Sequence, residues 1–226
     1  RQRARDRLMH IDRHDVAADE ADGARVEAEL AHGLDNALDD EVGAEDLAGL
    51  ERHRVVMGTI DDEPGLARAF ERMGCEVELG ESSLRITGRA LRGIDIDMET
   101  MPDVVLTLAV VAARAQGTTR ITNIANLRVK ECDRIHAAAS ELQRLGVEVE
   151  EGPDFLVIQP RGKGPEASHA PAQIHTYDDH RVAMAFGILG LVHEGITIED
   201  PDCVAKSFPG FWQELARFTR HHNGGF

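Results

Sequence analysis

Aromatic side chains are scarce in this sequence: seven Phe, one Trp and one Tyr in 226 residues. A core has to be built from Val, Leu, Ile, Ala and Met, which the apolar share of 42% allows. Lysine is scarcer still, with only Lys130, Lys163 and Lys206. The three cysteines, Cys75, Cys132 and Cys203, are far apart, odd in number and form no C-x-x-C pair. That excludes a zinc ribbon and argues against a disulfide framework, so a reducing cytosol is the expected compartment. The longest apolar runs, around Val104–Ala113 and Phe186–Val192, fall short of the ~20 apolar residues a membrane helix needs. No secretory apolar region opens the chain. Positive charge is also lacking, with a formal net charge of -16. Nucleic acid and anionic membrane surfaces are thereby excluded as principal partners. Any local gathering of cations becomes informative against that background.

The segment 1–57 lacks more than the rest. It contains no Phe, Trp, Tyr, Ser, Thr, Pro, Cys or Lys, and sets fifteen acidic residues against eight arginines. Such a segment buries little apolar area and so offsets little chain entropy. It is expected to be an atypical acidic segment, disordered or non-native to the domain behind it, with at most a weak helix over 25–38. Its narrow alphabet is what a GC-rich gene yields in the wrong frame. The first residue is Arg rather than Met, so the chain is expected to start inside a longer frame or at a processed end. His10 and His14 have the i, i+4 spacing of helical metal ligands. No third ligand accompanies them, and two solvated histidines are the simpler reading.

What is present is an internal repeat. Residues 67–86 align without gaps on residues 139–158, with nine of twenty positions identical. Each copy reads as a helix stopped by glycine, Gly74 or Gly146, followed by two strands joined by a turn. A second apolar helix follows each copy, over 103–115 and 180–191, and then a β-rich run at 119–124 and 196–198. The result is an α/β fold of units about 75 residues long. The repeat also aligns two polar pairs. The interval from Asp103 to Lys130 equals that from Asp179 to Lys206. Two of only three lysines thus share one repeat position, which predicts two acid–base corners at one end of the domain.

Four strings carry the chemistry. In the run from Asn126 to Arg134, a helix start would place Lys130 and Arg134 on one face at i, i+4, where like charges repel. Glu131 would pair with Arg134 at i, i+3. Fixed cations beside helix N–H groups make sense when an anion fills the site, and ordinary solvated charges at a helix start are the alternative. In Tyr177–Arg181, Asp178 or Asp179 can cap the following helix, while His180 and Arg181 oppose its dipole unless a carboxylate or phosphate binds. His180 by itself is more often a hydrogen-bonded structural residue. Lys206, in the loop from Asp202 to Pro209, reads as a surface lysine until its register with Lys130 is considered. Asp103 follows Pro102 at the start of an apolar helix, either as a stabilising first-turn acid or, close to Lys130, as a base.

Together the strings DMETMPD, ANLRVKECDR, TYDDHRVAMAF and DPDCVAKSFPGFW resemble the C-terminal part of the EPSP synthase family (3-phosphoshikimate 1-carboxyvinyltransferase) over roughly residues 64–218. The sister family, UDP-N-acetylglucosamine enolpyruvyl transferase, shares fold and chemistry but not these strings. The resemblance implies an enolpyruvyl-transferase-like domain over 58–226, built of repeated βαβαββ units with two of three present, helices inside and sheets outside. It implies transfer of the enolpyruvyl group of phosphoenolpyruvate to the 5-hydroxyl of shikimate 3-phosphate. By motif, Asp103 would take the hydroxyl proton and also bind substrate, and Glu131 would serve the carbon end. Asn126 and Lys130 would hold shikimate 3-phosphate. Arg134, Arg181 and Lys206 would clamp phosphoenolpyruvate, assisted by His180. No metal or organic cofactor is implied, and neither is a nucleic-acid or membrane partner. The family's Lys-Ser/Arg turn, Asn-Ala-Gly-Thr loop and Ser-Ser-Gln trio have no counterpart here, so the missing N-terminal domain is needed for a full site. A truncated, non-enzymatic remnant that binds anions weakly is the alternative.

Overall fold

The computed structural model describes residues 8–10, 54–57, 64–79, 84–160, 171–193 and 195–222. In chain order these form β1 (Leu8–His10), β2 (Arg54–Met57), α1 (Pro64–Met73), β3 (Glu76–Leu79), β4 (Leu84–Thr87) and β5 (Asp95–Asp97). There follow α2 (Val105–Ala112), β6 (Thr119–Thr122), α3 (Arg134–Arg144), β7 (Glu148–Gly152) and β8 (Phe155–Gln159). The chain continues with β9 (Ala172–Ile174), α4 (His180–Leu189), β10 (Ile196–Glu199) and α5 (Phe211–His222). Three short 3-10 turns, Pro102–Val104, Ala125–Val129 and Pro201–Lys206, matter for the site. This is an α/β chain of mixed sheets and helices.

The strands form three sheets, in the orders β1-β10-β9, β2-β4-β3 and β5-β6-β8-β7. β5 runs parallel to β6 and β9 parallel to β10, while β6, β8 and β7 alternate antiparallel. Two short pieces of the acidic segment contribute strands: Leu8–His10 pairs with β10, and Arg54–Met57 with β4. His10 therefore lies in a strand rather than on a helix, while His14 and the helix expected over 25–38 fall outside the described residues.

Both glycine stops form where the sequence put them. Gly74 and Gly146 take φ of 106° and 79°, the left-handed region in which glycine carries no Cβ penalty. Backbone bonds from Cys75 N to Phe70 O and from Val147 N to Leu142 O close the two helix ends. Helix α2 is apolar almost all round, with Val105, Leu106, Leu108, Ala109, Val110 and Ala112 buried, as expected of a central helix. It packs against α3 and α4, whose inward faces carry Ala137, Ala138, Ala139, Ala183 and Ala185. With so few aromatics, small residues let these helices approach closely. Three of the aromatics gather at one corner, where Phe208, Phe211 and Trp212 stack edge-on at 5.8 and 4.8 Å. Gly187 faces this corner: a Cβ there would stand 2.7 Å from the Trp212 ring.

Candidate functional site

The starts of α2, α3 and α4 and the turn after β10 bring the charged strings together. Asp103 lies in the 3-10 turn ahead of α2, with Pro102 supplying the fixed φ. Three cations from two other segments converge on it. Arg134 Nη1 stands 3.4 Å and Lys130 Nζ 3.7 Å from Oδ1, and Arg181 Nη2 stands 3.3 Å from Oδ2. Arg181 also donates to the Asp103 backbone carbonyl at 3.0 Å. The Asp103 side chain remains 45% exposed, and Lys130 and Arg181 are 35% and 31% exposed, so an incoming ligand can reach these three.

Beside it is a buried pair. Arg134, 4% exposed, donates from Nε and Nη2 to the two oxygens of Asp179 at 2.8 and 3.3 Å, and Asp179 is fully buried. Asp179 is also the N-cap of α4, accepting from Arg181 N at 2.8 Å. Burial alone would raise its pKa. The Arg134 guanidinium and the Arg181 N–H outweigh burial and hold the carboxyl below its ordinary value. The Cys132 thiol donates to the same carboxylate at 3.5 Å and is pushed up to about 12 by burial and by that negative charge.

The third acid, Glu131, accepts from His180 Nδ1 and Lys206 Nζ, each at 3.0 Å. Lys206 donates as well to the Asp178 carbonyl at 2.6 Å. Partial burial lowers the Lys206 pKa, but Glu131 and the carboxylates of Asp178 and Asp179 raise it further, so it stays charged. The linked side chains thus comprise three carboxylates, four permanent cations and His180. Four cations thus gather in one place within a chain of charge -16, and fixed cations are what binding phosphates and carboxylates requires.

The turn that carries Asp178 and Asp179 is strained. Tyr177 and Asp178 have φ of 55° and 56°, and Asp179 N closes the turn on Thr176 O at 2.9 Å. Two successive non-glycine residues in the left-handed region cost of order 1 kcal/mol or more each. The surrounding contacts must over-determine them.

Comparison with known proteins decides the family. The family model described as EPSP synthase (3-phosphoshikimate 1-carboxyvinyltransferase) matches residues 58–215. The chain belongs to the EPSP synthase family. The chloroplastic 3-phosphoshikimate 1-carboxyvinyltransferase of Arabidopsis thaliana is 47% identical over 163 residues, covering 69% of this chain and 30% of that protein. The 3-phosphoshikimate 1-carboxyvinyltransferase of Shewanella denitrificans is 44% identical over 162 residues, covering 72% and 37%. The chain therefore spans about a third of the length of these curated relatives. The solved EPSP synthase of Acinetobacter baumannii is similar with a TM-score of 0.64 at 30% identity, over 74% of this chain and 42% of that one. The enolpyruvyl transferase NikO of Streptomyces tendae, at 20% identity and a TM-score of 0.50, shares the fold.

For an EPSP synthase family chain, the geometry revises several local expectations. Lys130 is not on a helix face with Arg134: it is the extended residue after the 3-10 turn, with ψ of -152°. The two cations escape i, i+4 repulsion by meeting on Asp103 instead. Glu131 pairs with His180 and Lys206 rather than with Arg134. Asp103 and Lys130 do form an ion pair, whereas Asp179 holds Arg134 and leaves Lys206 to Glu131. Asp179, not Asp178, is the cap. Asn126 stands exposed on the 3-10 turn Ala125–Val129, and its side chain forms no hydrogen bond among the described residues.

Sequence reasoning missed Arg128. It donates to Asp133, the N-cap of α3, at 2.7 Å and to the Gly152 carbonyl at 2.6 Å, tying the helix start to the β7–β8 hairpin. Glu131, Asp179 and His180 also offer ligand atoms within 4.8 Å of one another. Arg134 saturates Asp179, and Lys206 sits on Glu131, so cationic side chains already supply the charge a metal ion would bring.

Proposed function

We propose that this chain supplies the C-terminal part of an enolpyruvyl transferase site, acting on phosphoenolpyruvate and shikimate 3-phosphate. The convergence of Lys130, Arg134 and Arg181 on Asp103, beside Lys206 and His180 on Glu131, carries the reading. In this reaction the substrate hydroxyl, losing its proton, adds to the vinyl carbon bearing the phosphate while the methylene carbon gains a proton; phosphate then leaves as the new methyl group gives a proton back, restoring the double bond. The addition requires a base at the hydroxyl, an acid at the carbon end and fixed cations at the anionic groups. Asp103 takes the hydroxyl proton. Glu131, hydrogen-bonded to His180 and Lys206, serves the carbon end. Asn126 and Lys130 hold shikimate 3-phosphate, and Arg134, Arg181 and Lys206 hold phosphoenolpyruvate. On binding, the ligand anions take over cations that Asp103 and Glu131 now occupy.

On this reading the domain consists of two βαβαββ-like units with helices central and sheets outside, the acidic segment before residue 58 stands outside those units apart from the two strands it lends their sheets, and the protein works in the cytosol. Similarity to relatives of which the chain covers a third motivates a further requirement, the remaining part of the site. Because closure excludes water and completes the catalytic set, the chain alone is expected to turn over neither substrate. The test mixes it with the recombinant N-terminal half of a related enzyme, adds both substrates and measures phosphate release. Release that depends on both halves, and on Lys206, supports the reading. Silence in the mixture, with each half folded, favours the anion-binding remnant.

A further inference from the structure

One carboxylate near the site takes part in none of that chemistry and is nevertheless fully buried. Glu141, on α3, has no solvent exposure. It accepts from the Tyr177 hydroxyl at 2.7 Å, from His175 N at 3.2 Å and from Arg144 Nε at 3.1 Å. Tyr177 is the only tyrosine in the chain and is the first of the two left-handed residues, followed directly by Asp178 and Asp179. The Asp178 carbonyl holds Lys206, and the Asp179 carboxylate holds Arg134. A buried charge fixed by three donors is an anchor, because leaving any of them unpaired is costly. A strained turn persists only while such anchors hold it.

We propose that Glu141 is a positioning residue for the anion site: through the Tyr177 hydroxyl it locks the turn that aims Lys206 and Arg134. The inference rests on the proposed function, since it assigns the turn a task in binding phosphoenolpyruvate. Helix α3 carries both Arg134 at its first turn and Glu141 two turns later, so a single rigid element fixes the cation and the far end of its partner's loop. The His175 ring leans edge-on to Tyr177 at 6.4 Å and limits its swing. Burial and the Glu141 charge push the Tyr177 hydroxyl up to about 12, which provides a direct optical readout.

The experiment uses the full chain with Glu141→Gln, Tyr177→Phe, their double variant and Lys206→Ala. Phosphoenolpyruvate binding is measured by calorimetry, and tyrosinate absorbance by ultraviolet titration. Both single variants are expected to weaken binding about tenfold, with the double variant no worse than either, as for two residues acting through one contact. The tyrosine of Glu141→Gln should ionise at a lower pH than that of the parent, because the Glu141 charge is gone while the burial that also raises it remains. Parent-like binding in Tyr177→Phe, additive losses in the double variant, or an unmoved tyrosine titration would overturn the proposal. A parent that binds no better than Lys206→Ala overturns the anion site itself, and the positioning role with it. Tyr177→Phe guards against a Glu141 variant that fails to fold, because it removes the contact and leaves the buried charge with its other donors.

Discussion

Replacing Asp179 by Ala removes the partner of a buried cation and the cap of a helix at one stroke. Arg134, 4% exposed, would lose hydrogen bonds at 2.8 and 3.3 Å. Stranding one member of a buried ion pair costs about 3–5 kcal/mol. Losing the cap to Arg181 N adds about 1 kcal/mol. Asp103, 3.4 Å from Arg134 and reached by solvent, takes up part of the stranded charge, so the sum falls at its low end, about 4 kcal/mol. With a urea dependence of roughly 1–3 kcal/mol per molar, the unfolding midpoint should drop by at least about 1 M. The assay is urea unfolding followed by circular dichroism. The double variant Asp179→Ala/Arg134→Met removes both charges and should regain much of the loss, since an apolar replacement leaves no ion buried. A midpoint shift below about 0.3 M in the single variant, or a double variant no better than the single, would refute the reasoning.

Two further outcomes follow from ionisation. Because Asp179 is held below its ordinary value near 3.8 in the folded chain, the unfolded chain binds its proton first as the pH falls. Its stabilisation is complete above that value and lost as the pH drops below it. The urea midpoint should therefore decline below about pH 4, and Asp179→Asn should flatten that decline. An equally steep decline in the variant would count against the assignment. The thiols of Cys132 and Cys203 are pushed up to about 12 and about 11, each first of all by burial, and Cys75 is raised by burial too. Near pH 8 the folded chain should react with a disulfide reagent at least about a hundredfold more slowly at Cys132 than free cysteine does. Urea should restore the ordinary rate. Rapid labelling of Cys132 in the folded chain would contradict its contact with Asp179.

Local punctuation was readable from the sequence because it depends on neighbours only. Gly74 and Gly146 end their helices by taking a left-handed φ, and Pro102 opens the turn ahead of α2. The apolar runs marked α2 and α4 as core helices. The Asp103–Lys130 corner was visible too, through an Asp-to-Lys interval that the chain uses twice.

Partner choice was another matter. Arg134 selects Asp179 across 45 residues and His180 selects Glu131 across 49, whereas the sequence pointed to Glu131 with Arg134 and to Asp179 with Lys206. An α/β fold of this kind lays helix starts from distant segments beside one another, and Coulomb energy then follows distance in space rather than along the chain. Burial decides the rest. Glu141 and Tyr177 look like an ordinary helix acid and an ordinary loop aromatic until packing takes the carboxylate out of water and makes its three donors indispensable. The sequence by itself determined the apolar helices, the glycine stops that end two of the helices and the inventory of charges. Only the tertiary structure decided which charges meet, because pairing between segments so far apart in the chain depends on how the helices pack, and no local rule encodes that.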